Sequence, residues 1–307
     1  MTNKIIAIQG NHPSQLNPIT DTTIFLAREI EIKKYKIFYY EPKNLSIINS
    51  KIIAFGFFIK FYHKKKFFKI IKNVKLDLTK CKFILIRQDP PFNLEYISAT
   101  YILDTIKDQV KIINNPTSIR NVSEKLYSAR YQKYMPNSIF SQNITEIKNF
   151  FKKHKKVIIK PIHGFSGNDI HLLNKFNSKL IKKFIKKHDY ILCQKYMPKI
   201  SKGDKRVFLI NGKICGAISR VPKKGSFLSN MSKGAKPNKT KLTIKENKIS
   251  KLIAKDLKKE NIFFAGIDFI DQKLNGDINV TSPTGLKTLY DISGINHAKT
   301  FWKELKA

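Results

Sequence analysis

The spacing of apolar residues changes once along this 307-residue chain, and that change constrains its fold more than any other feature. Over about the first 120 residues, short apolar runs alternate with longer amphipathic stretches. Ile5–Gln9 reads as a strand. Residues 21–33 read as a helix, with Ile24, Ala27, Arg28 and Glu31 spread over successive turns and Asp21 as N-cap. Lys36–Tyr40 is a second strand, and 82–87 a third that ends at Gln88-Asp89-Pro90-Pro91. A helix over 96–106 and a strand over 111–114 follow. This βαβα rhythm predicts a parallel α/β sheet. From Tyr131 the segments shorten. Ser138–Ser141, 157–160, 170–173 and Ile191–Lys195 read as strands, with a Lys-rich helix over 180–187. Further strands fall at 207–210, 214–220, 263–270 and 277–280, and Asn211-Gly212 is a hairpin turn. This half is α+β with antiparallel pairs. Residues 223–241 lack apolar periodicity and predict a long loop of the kind that serves as a lid.

The formal net charge is +37, from 59 Lys and Arg against 22 Asp and Glu. By itself that points to nucleic acid or an anionic membrane surface. The lysines are spread along the whole chain, however, and accompany abundant Ile and Asn, the residues an AT-rich genome encodes most readily. The charge is therefore read as compositional drift on a solvated surface, with neither nucleic acid nor membrane as a partner. The stretch 60–72 interleaves Phe61, Tyr62, Phe67 and Phe68 with lysines and His63. It fits a single-stranded nucleic-acid groove and equally a Lys-rich amphipathic connection. The most apolar run, 52–59, is far shorter than the roughly 20 residues of a membrane span. Residues 1–8 read as the lead into the first strand rather than as a secretion signal. Cys81, Cys193 and Cys215 form no C-x-x-C pair, so neither a disulfide framework nor a zinc site is indicated, and a cytoplasmic location fits.

Four strings bear on chemistry. Asp268 lies between Ile267 and Phe269, and Asp277 and Asn279 alternate with Ile278 and Val280. Strand alternation and a turn over 271–276 would bring Asp268, Asp277 and Asn279 onto one surface as hard oxygen ligands of Mg²⁺. The same spacing suits a strand face that is merely wet. Lys160 ends an apolar strand ahead of Gly164 and Gly167, a cation followed by backbone able to approach an anion, or else a plain strand exit. The strand entering Gln194, Lys195, Tyr196 and Met197 can present backbone groups to an adenine edge, although spacing alone does not show it. Arg206 and Arg220, on hairpin-paired strands, suit a phosphate or carboxylate clamp; the alternative is a surface ion pair with Asp204.

The order of the strings carries a resemblance. Arg87-Gln88-Asp89-Pro90-Pro91-Phe92, Asn114-Asn115-Pro116, Glu124-Lys125-Leu126, Ile159-Lys160-Pro161, Gly203-Asp204-Lys205-Arg206, Arg220-Val221-Pro222 and Asn279-Val280-Thr281-Ser282-Pro283-Thr284-Gly285 follow one another in the chain. Together they resemble the bacterial glutathione synthetases, a family of the ATP-grasp superfamily. The resemblance implies an α/β N-terminal domain (1–122) followed by an ATP-grasp fold, whose lid subdomain (123–200) and C-terminal subdomain (201–307) enclose ATP. It implies ligation of glycine to γ-glutamylcysteine through an acyl phosphate; another ATP-grasp carboxylate–amine ligase with a changed acceptor is the alternative. It also implies Mg²⁺, with Mn²⁺ able to substitute, and a homotetramer.

The resemblance further assigns residues. Lys125, Lys160, Gly164, Gly167, Gln194, Lys195, Tyr196, Met197 and Asp204 fall at ATP-binding positions. Arg206 and Arg220 stand near the phosphates and the reacting carboxylate. Asn230 and Gly234 lie in a substrate loop, and Asp268, Asp277 and Asn279 carry the metal. Asp268→Asn is then expected to abolish turnover and leave the fold intact. The chain departs from the family pattern at six places, two of them His12-Pro13, where an Asp-Pro string is usual, and Gly234-Ala235, where paired glycines are usual. Asp277 stands for the usual Glu, one residue further from the first Asp; Ser166 replaces a glycine; Leu228 stands where an Arg is usual; and Asn93 stands where an Asp is usual.

Overall fold

The computed structural model describes residues 4–63 and 66–307. Residues 1–3 at the start of the first-strand reading, and Lys64 and Lys65 of the basic 60–72 stretch, lie outside the described residues. Among the described residues the chain forms three sheets. The first contains β1 (Ile5–Gln9), β2 (Lys36–Tyr40), β3 (Leu45–Ile48), β4 (Lys51–Phe61), β5 (Phe68–Asp77), β6 (Phe83–Ile86) and β7 (Lys111–Ile113). Strands β2, β1, β6 and β7 are parallel, as the βαβα rhythm predicts. The parallel reading fails for β3, β4 and β5, which join antiparallel. The run 52–59 and the basic stretch after it therefore form a long hairpin rather than an amphipathic connection. Its outer strand carries Lys69, Lys72 and Lys75 among other exposed residues, the usual protection of a sheet edge. Helices α1 (Thr22–Glu31, N-capped by Asp21), α2 (Leu94–Asp104, N-capped by Asn93) and α3 (Pro116–Asn121) accompany this sheet. Asn93 thus has a structural use in this chain: its side chain accepts from the Tyr96 N–H.

The second sheet orders β10 (His171–Leu173), β9 (Val157–Pro161), β11 (Ile191–Lys195) and β8 (Ser138–Ser141), all antiparallel. Helices α4 (Ile144–His154) and α5 (Ser178–His188) turn Ile147, Phe151, Ile181 and Phe184 onto it. The third sheet orders β14 (Lys236–Lys239), β13 (Lys213–Val221), β12 (Asp204–Ile210), β15 (Phe264–Ile270) and β16 (Lys273–Asn279). Helix α6 (Ile244–Lys259) covers it behind a Thr243/Glu246 capping box. The predicted 223–241 loop is therefore shorter than expected, because β14 pairs with β13.

Helices α7 (Leu286–Ser293) and α8 (His297–Glu304) return to the first sheet. Trp302, fully buried, donates its indole N–H to Leu26 O at 2.9 Å, and one apolar core joins Ile8, Leu26 and Leu85 to Phe208, Phe301 and Trp302. The C-terminal end thus packs on the N-terminal sheet, which fixes the first and third sheets against each other.

Candidate active site

The second and third sheets, together with the loops that follow β1 and β6 of the first, line a cleft of about 450 Å³. Its floor is a row of charges set by strand register. Asp204 of β12 lies opposite Arg220 of β13, and Arg206 of β12 lies opposite Asp268 of β15. Asp204 and Arg206, two residues apart, share one face. Arg206 Nε and Nη2 donate to Asp268 Oδ1 and Oδ2 at 2.8 and 2.7 Å, and Arg220 Nε donates to Asp204 Oδ1 at 2.8 Å. Arg220 Nη2 also stands 3.0 Å from Asp268 Oδ2. All four side chains are buried. An ion pair with Asp204 does form, through Arg220, while Arg206 takes Asp268; both pairs are interior rather than on the surface. Burial alone would raise the Asp268 carboxyl, but the guanidiniums of Arg206 and Arg220 outweigh it and hold the group well below the usual carboxylate range.

A second cluster lies across the cleft. Lys160 comes from β9 and Lys125 from the segment between α3 and β8. Lys125 Nζ donates to Gly164 O at 2.6 Å and stands 3.5 Å from Asp277 Oδ1. Lys160 Nζ donates to Asn275 O and Oδ1, both at 3.0 Å, and stands 3.6 Å from Asp277 Oδ2. Burial pushes the Lys160 ammonium down from its ordinary value, opposed chiefly by Asp277.

Asp277 reaches these lysines through an irregularity that the sequence pattern did not show. The β15–β16 turn is Asp271-Gln272, both at positive φ, rather than 271–276. The register then shifts: Phe269 faces Leu274 and Ile267 faces Ile278, so Asn275, Gly276 and Asp277 together oppose Asp268. Gly276, at φ +88°, makes this bulge possible, and with it the extra residue before Asp277. Asp277 and Asn279 both line the cleft while Ile278 and Val280 are wholly buried, as strand alternation predicts.

Asp268, Asp277 and Asn279 thus line one cleft as hard oxygen donors. Among the described residues no group of three His, Cys, Asp or Glu suits a metal, since the third donor here is an amide. Asn279 Nδ2 donates to Gly266 O at 3.1 Å, which leaves Oδ1 as the amide's acceptor. With Asp268 held ionised, the set fits Mg²⁺ as a cation bound through few protein ligands plus phosphate oxygens.

The remaining sequence-derived positions fall around the same cleft. Gln194, buried, donates to Ser138 Oγ at 3.1 Å, and Lys195, Tyr196 and Met197 continue along the wall. Gly164 packs so closely on Pro161 that a Cβ would sit 2.3 Å from its ring. Gly167, at φ +72°, faces Asn230. Gly234 is the exception: it ends a short turn at φ +86° and does not line the cleft.

Sequence reasoning missed Asn275, placed in the supposed turn, and the clamp made by Asn114. Asn114 Oδ1 accepts from the Phe263 and Phe264 N–H groups at 2.9 and 2.8 Å, and its Nδ2 donates to Phe264 O and Val280 O, both at 2.7 Å. That amide ties the end of β7 to the two strands carrying the acidic donors. Glu124, beside Lys125, accepts from Thr281 Oγ1 at 2.8 Å and lends its backbone carbonyl to Ile278 N.

This fold is that of the ATP-grasp ligases. It is similar to D-cycloserine synthetase (TM-score 0.67, 10% identity, 98% of each chain covered) and to D-alanyl-alanine synthetase A of Vibrio cholerae (TM-score 0.61, 14% identity, 100% of this chain and 98% of that one). The pattern of the prokaryotic glutathione synthetase N-terminal domain matches residues 5–120, and that of its ATP-grasp domain residues 124–294. Similar relatives include the glutathione synthetases of Agrobacterium fabrum, 32% identical over 99% of this chain and 96% of the relative, and of Buchnera aphidicola, 36% identical over 92% and 90%. The chain belongs to the prokaryotic glutathione synthetase family.

Proposed function

We propose that the cleft binds ATP between the lid and C-terminal sheets and joins γ-glutamylcysteine to glycine, giving glutathione, ADP and phosphate. The observation that carries this reading is the meeting, in one cleft, of Lys125 and Lys160 with Asp268, Asp277 and Asn279. A carboxylate is a poor acyl donor because oxide is its leaving group. Attack of the dipeptide carboxylate on the γ-phosphorus releases ADP and gives an acyl phosphate. The glycine amine then attacks the acyl carbon, loses a proton and expels phosphate.

In this reading Lys125 and Lys160 offset charge on the transferring phosphoryl group. Gln194 to Met197 border the adenine, and Gly164 and Gly167 let the lid backbone approach the phosphates. Arg206 and Arg220 set the charge and position of Asp268 and Asp204, and act on substrate from that paired state. Asn230 and Gly234 belong to the segment that covers the substrates. Asp268, Asp277 and Asn279 hold Mg²⁺, which when bound draws charge from the phosphate oxygens. The division into 1–122, 123–200 and 201–307, a cytoplasmic location and a homotetramer belong to the same reading. Among the described residues no helix is long and apolar enough to cross a membrane.

The test is substrate dependence. With ATP and Mg²⁺, phosphate release should require γ-glutamylcysteine and glycine together and match glutathione formed. Equal release with glutamate as donor, or with an unrelated amine, would reassign the chain to another carboxylate–amine ligation.

A further inference from the structure

The segment between β13 and β14 crosses the mouth of the cleft, and residues 227–232 line it. Within 223–234 only Ser229 is buried, at 7% exposure. Its hydroxyl donates to Asp204 Oδ2, the oxygen that also receives Arg220 Nη2. The stem before it is exposed at Lys223, Lys224 and Gly225, and a Cβ at Gly225 would meet nothing within 4 Å. On the opposite side the segment touches the lid. A Cβ on Gly167 would come within 2.6 Å of Asn230 Oδ1, and Lys233 Nζ donates to Asn168 Oδ1 at 2.8 Å. Ser229 is thus the fixed point on the floor, and the Asn168 and Gly167 contacts are the fixed points on the roof.

We propose that Ser229 is a positioning residue for the ligation, whose hydroxyl, held by Asp204, seats the 223–234 segment over the cleft so that the activated substrate meets an amine rather than water. The proposal rests on the ligase reading above. A hydroxyl bound to a charged acceptor shifts a seated-to-open equilibrium by roughly tenfold or more. Once the segment lifts, water attacks the acyl carbon of the acyl phosphate, phosphate leaves, and the dipeptide carboxylate is regenerated. The net reaction is then ATP plus water to ADP plus phosphate, with no peptide bond formed.

Two measurements on Ser229→Ala and Ser229→Thr test this in the full chain. The first is tryptic cleavage after Lys233, whose ammonium is held by Asn168 in the seated segment, without ligands; it needs no catalysis. Ser229→Ala should be cut roughly tenfold faster, and Ser229→Thr, which keeps the hydroxyl, at the wild-type rate. The second is the ratio of phosphate released to tripeptide formed with ATP, Mg²⁺, γ-glutamylcysteine and glycine. It should stay near one in wild type and Ser229→Thr and rise several-fold in Ser229→Ala. An alanine variant matching wild type in either measurement overturns the proposal, as does a threonine variant that behaves like alanine. A wild-type protein that forms no tripeptide overturns the ligase reading instead, while the cleavage comparison still judges the anchor.

Discussion

The Asp204–Arg220–Asp268–Arg206 quartet and the Lys125–Lys160–Asp277 cluster face the same cleft, yet they differ in geometry and balance. In the quartet two cations match two anions, the pairs are bidentate, and every member is buried. In the cluster one carboxylate stands 3.5 and 3.6 Å from two ammonium groups, and Asp277 keeps 21% of its side chain exposed. Three neighbouring strands hold the quartet, whereas the cluster spans the lid and β16. A satisfied, interior network holds geometry, while a loose cluster with an excess cation is poised for an anion. Under the proposed function, the contrast separates the part of the site that positions from the part that would receive phosphate.

The largest effect should come from breaking the quartet. Asp268→Asn strands the Arg206 cation in the interior, which costs about 3–5 kcal/mol, seen as a large fall in the thermal midpoint. This revises the expectation that the substitution leaves the fold intact; a variant as stable as wild type would erase the distinction between the two clusters. Next in size, Lys160→Met should cut kcat/KM by about 10²–10³-fold with the thermal midpoint unchanged or raised, because burial already disfavours its charge. A destabilised but active Lys160→Met protein would make that lysine structural.

The pH dependence of stability sharpens the same comparison. The Asp268 carboxyl is depressed in the folded state, so its contribution is complete above the unfolded value near pH ~3.9 and is lost as pH falls below it. The stability gap between wild type and Asp268→Asn should stay constant from roughly pH 5 to 8 and narrow below about 4. A gap that already shrinks near pH 6 would contradict the depressed carboxyl. The smallest effect is expected for Asp277→Asn. Its contacts are non-bidentate, and both lysines keep other partners in Gly164 and Asn275, so the stability loss should be smaller than for Asp268→Asn, while more Mg²⁺ should be needed for nucleotide binding in titrations. A loss as large as that of Asp268→Asn would place Asp277 in the scaffold.

Much of the frame was legible in the sequence. Asp21 as N-cap, Asn211-Gly212 as a turn with both residues at positive φ, and the strands Ile5–Gln9, Lys36–Tyr40, Ser138–Ser141 and Ile191–Lys195 all follow from local pattern. So does the shared face of Asp277 and Asn279, because side-chain alternation is a property of any strand. The β4–β5 hairpin was not legible, since its outer strand is exposed on both faces and carries no alternation. Helix α6 does carry a stripe at helical spacing, Ile249, Ile253, Ala254 and Leu257, whereas α7 and α8 span eight residues each and are too short to show a period.

By itself the sequence determined which residue types are available to the cleft and the order in which the chain presents them, because strand period and turn chemistry act over a few neighbouring residues. Tertiary structure alone decided the pairing: that Arg220 rather than Arg206 holds Asp204, that a bulge at Gly276 carries Asp277 to two lysines of distant segments, and that Asn114 clamps the strands bearing the acidic donors. The physical reason is register. Which charge lies opposite which depends on the alignment of strands brought together by their apolar faces, and short-range pattern does not encode that alignment.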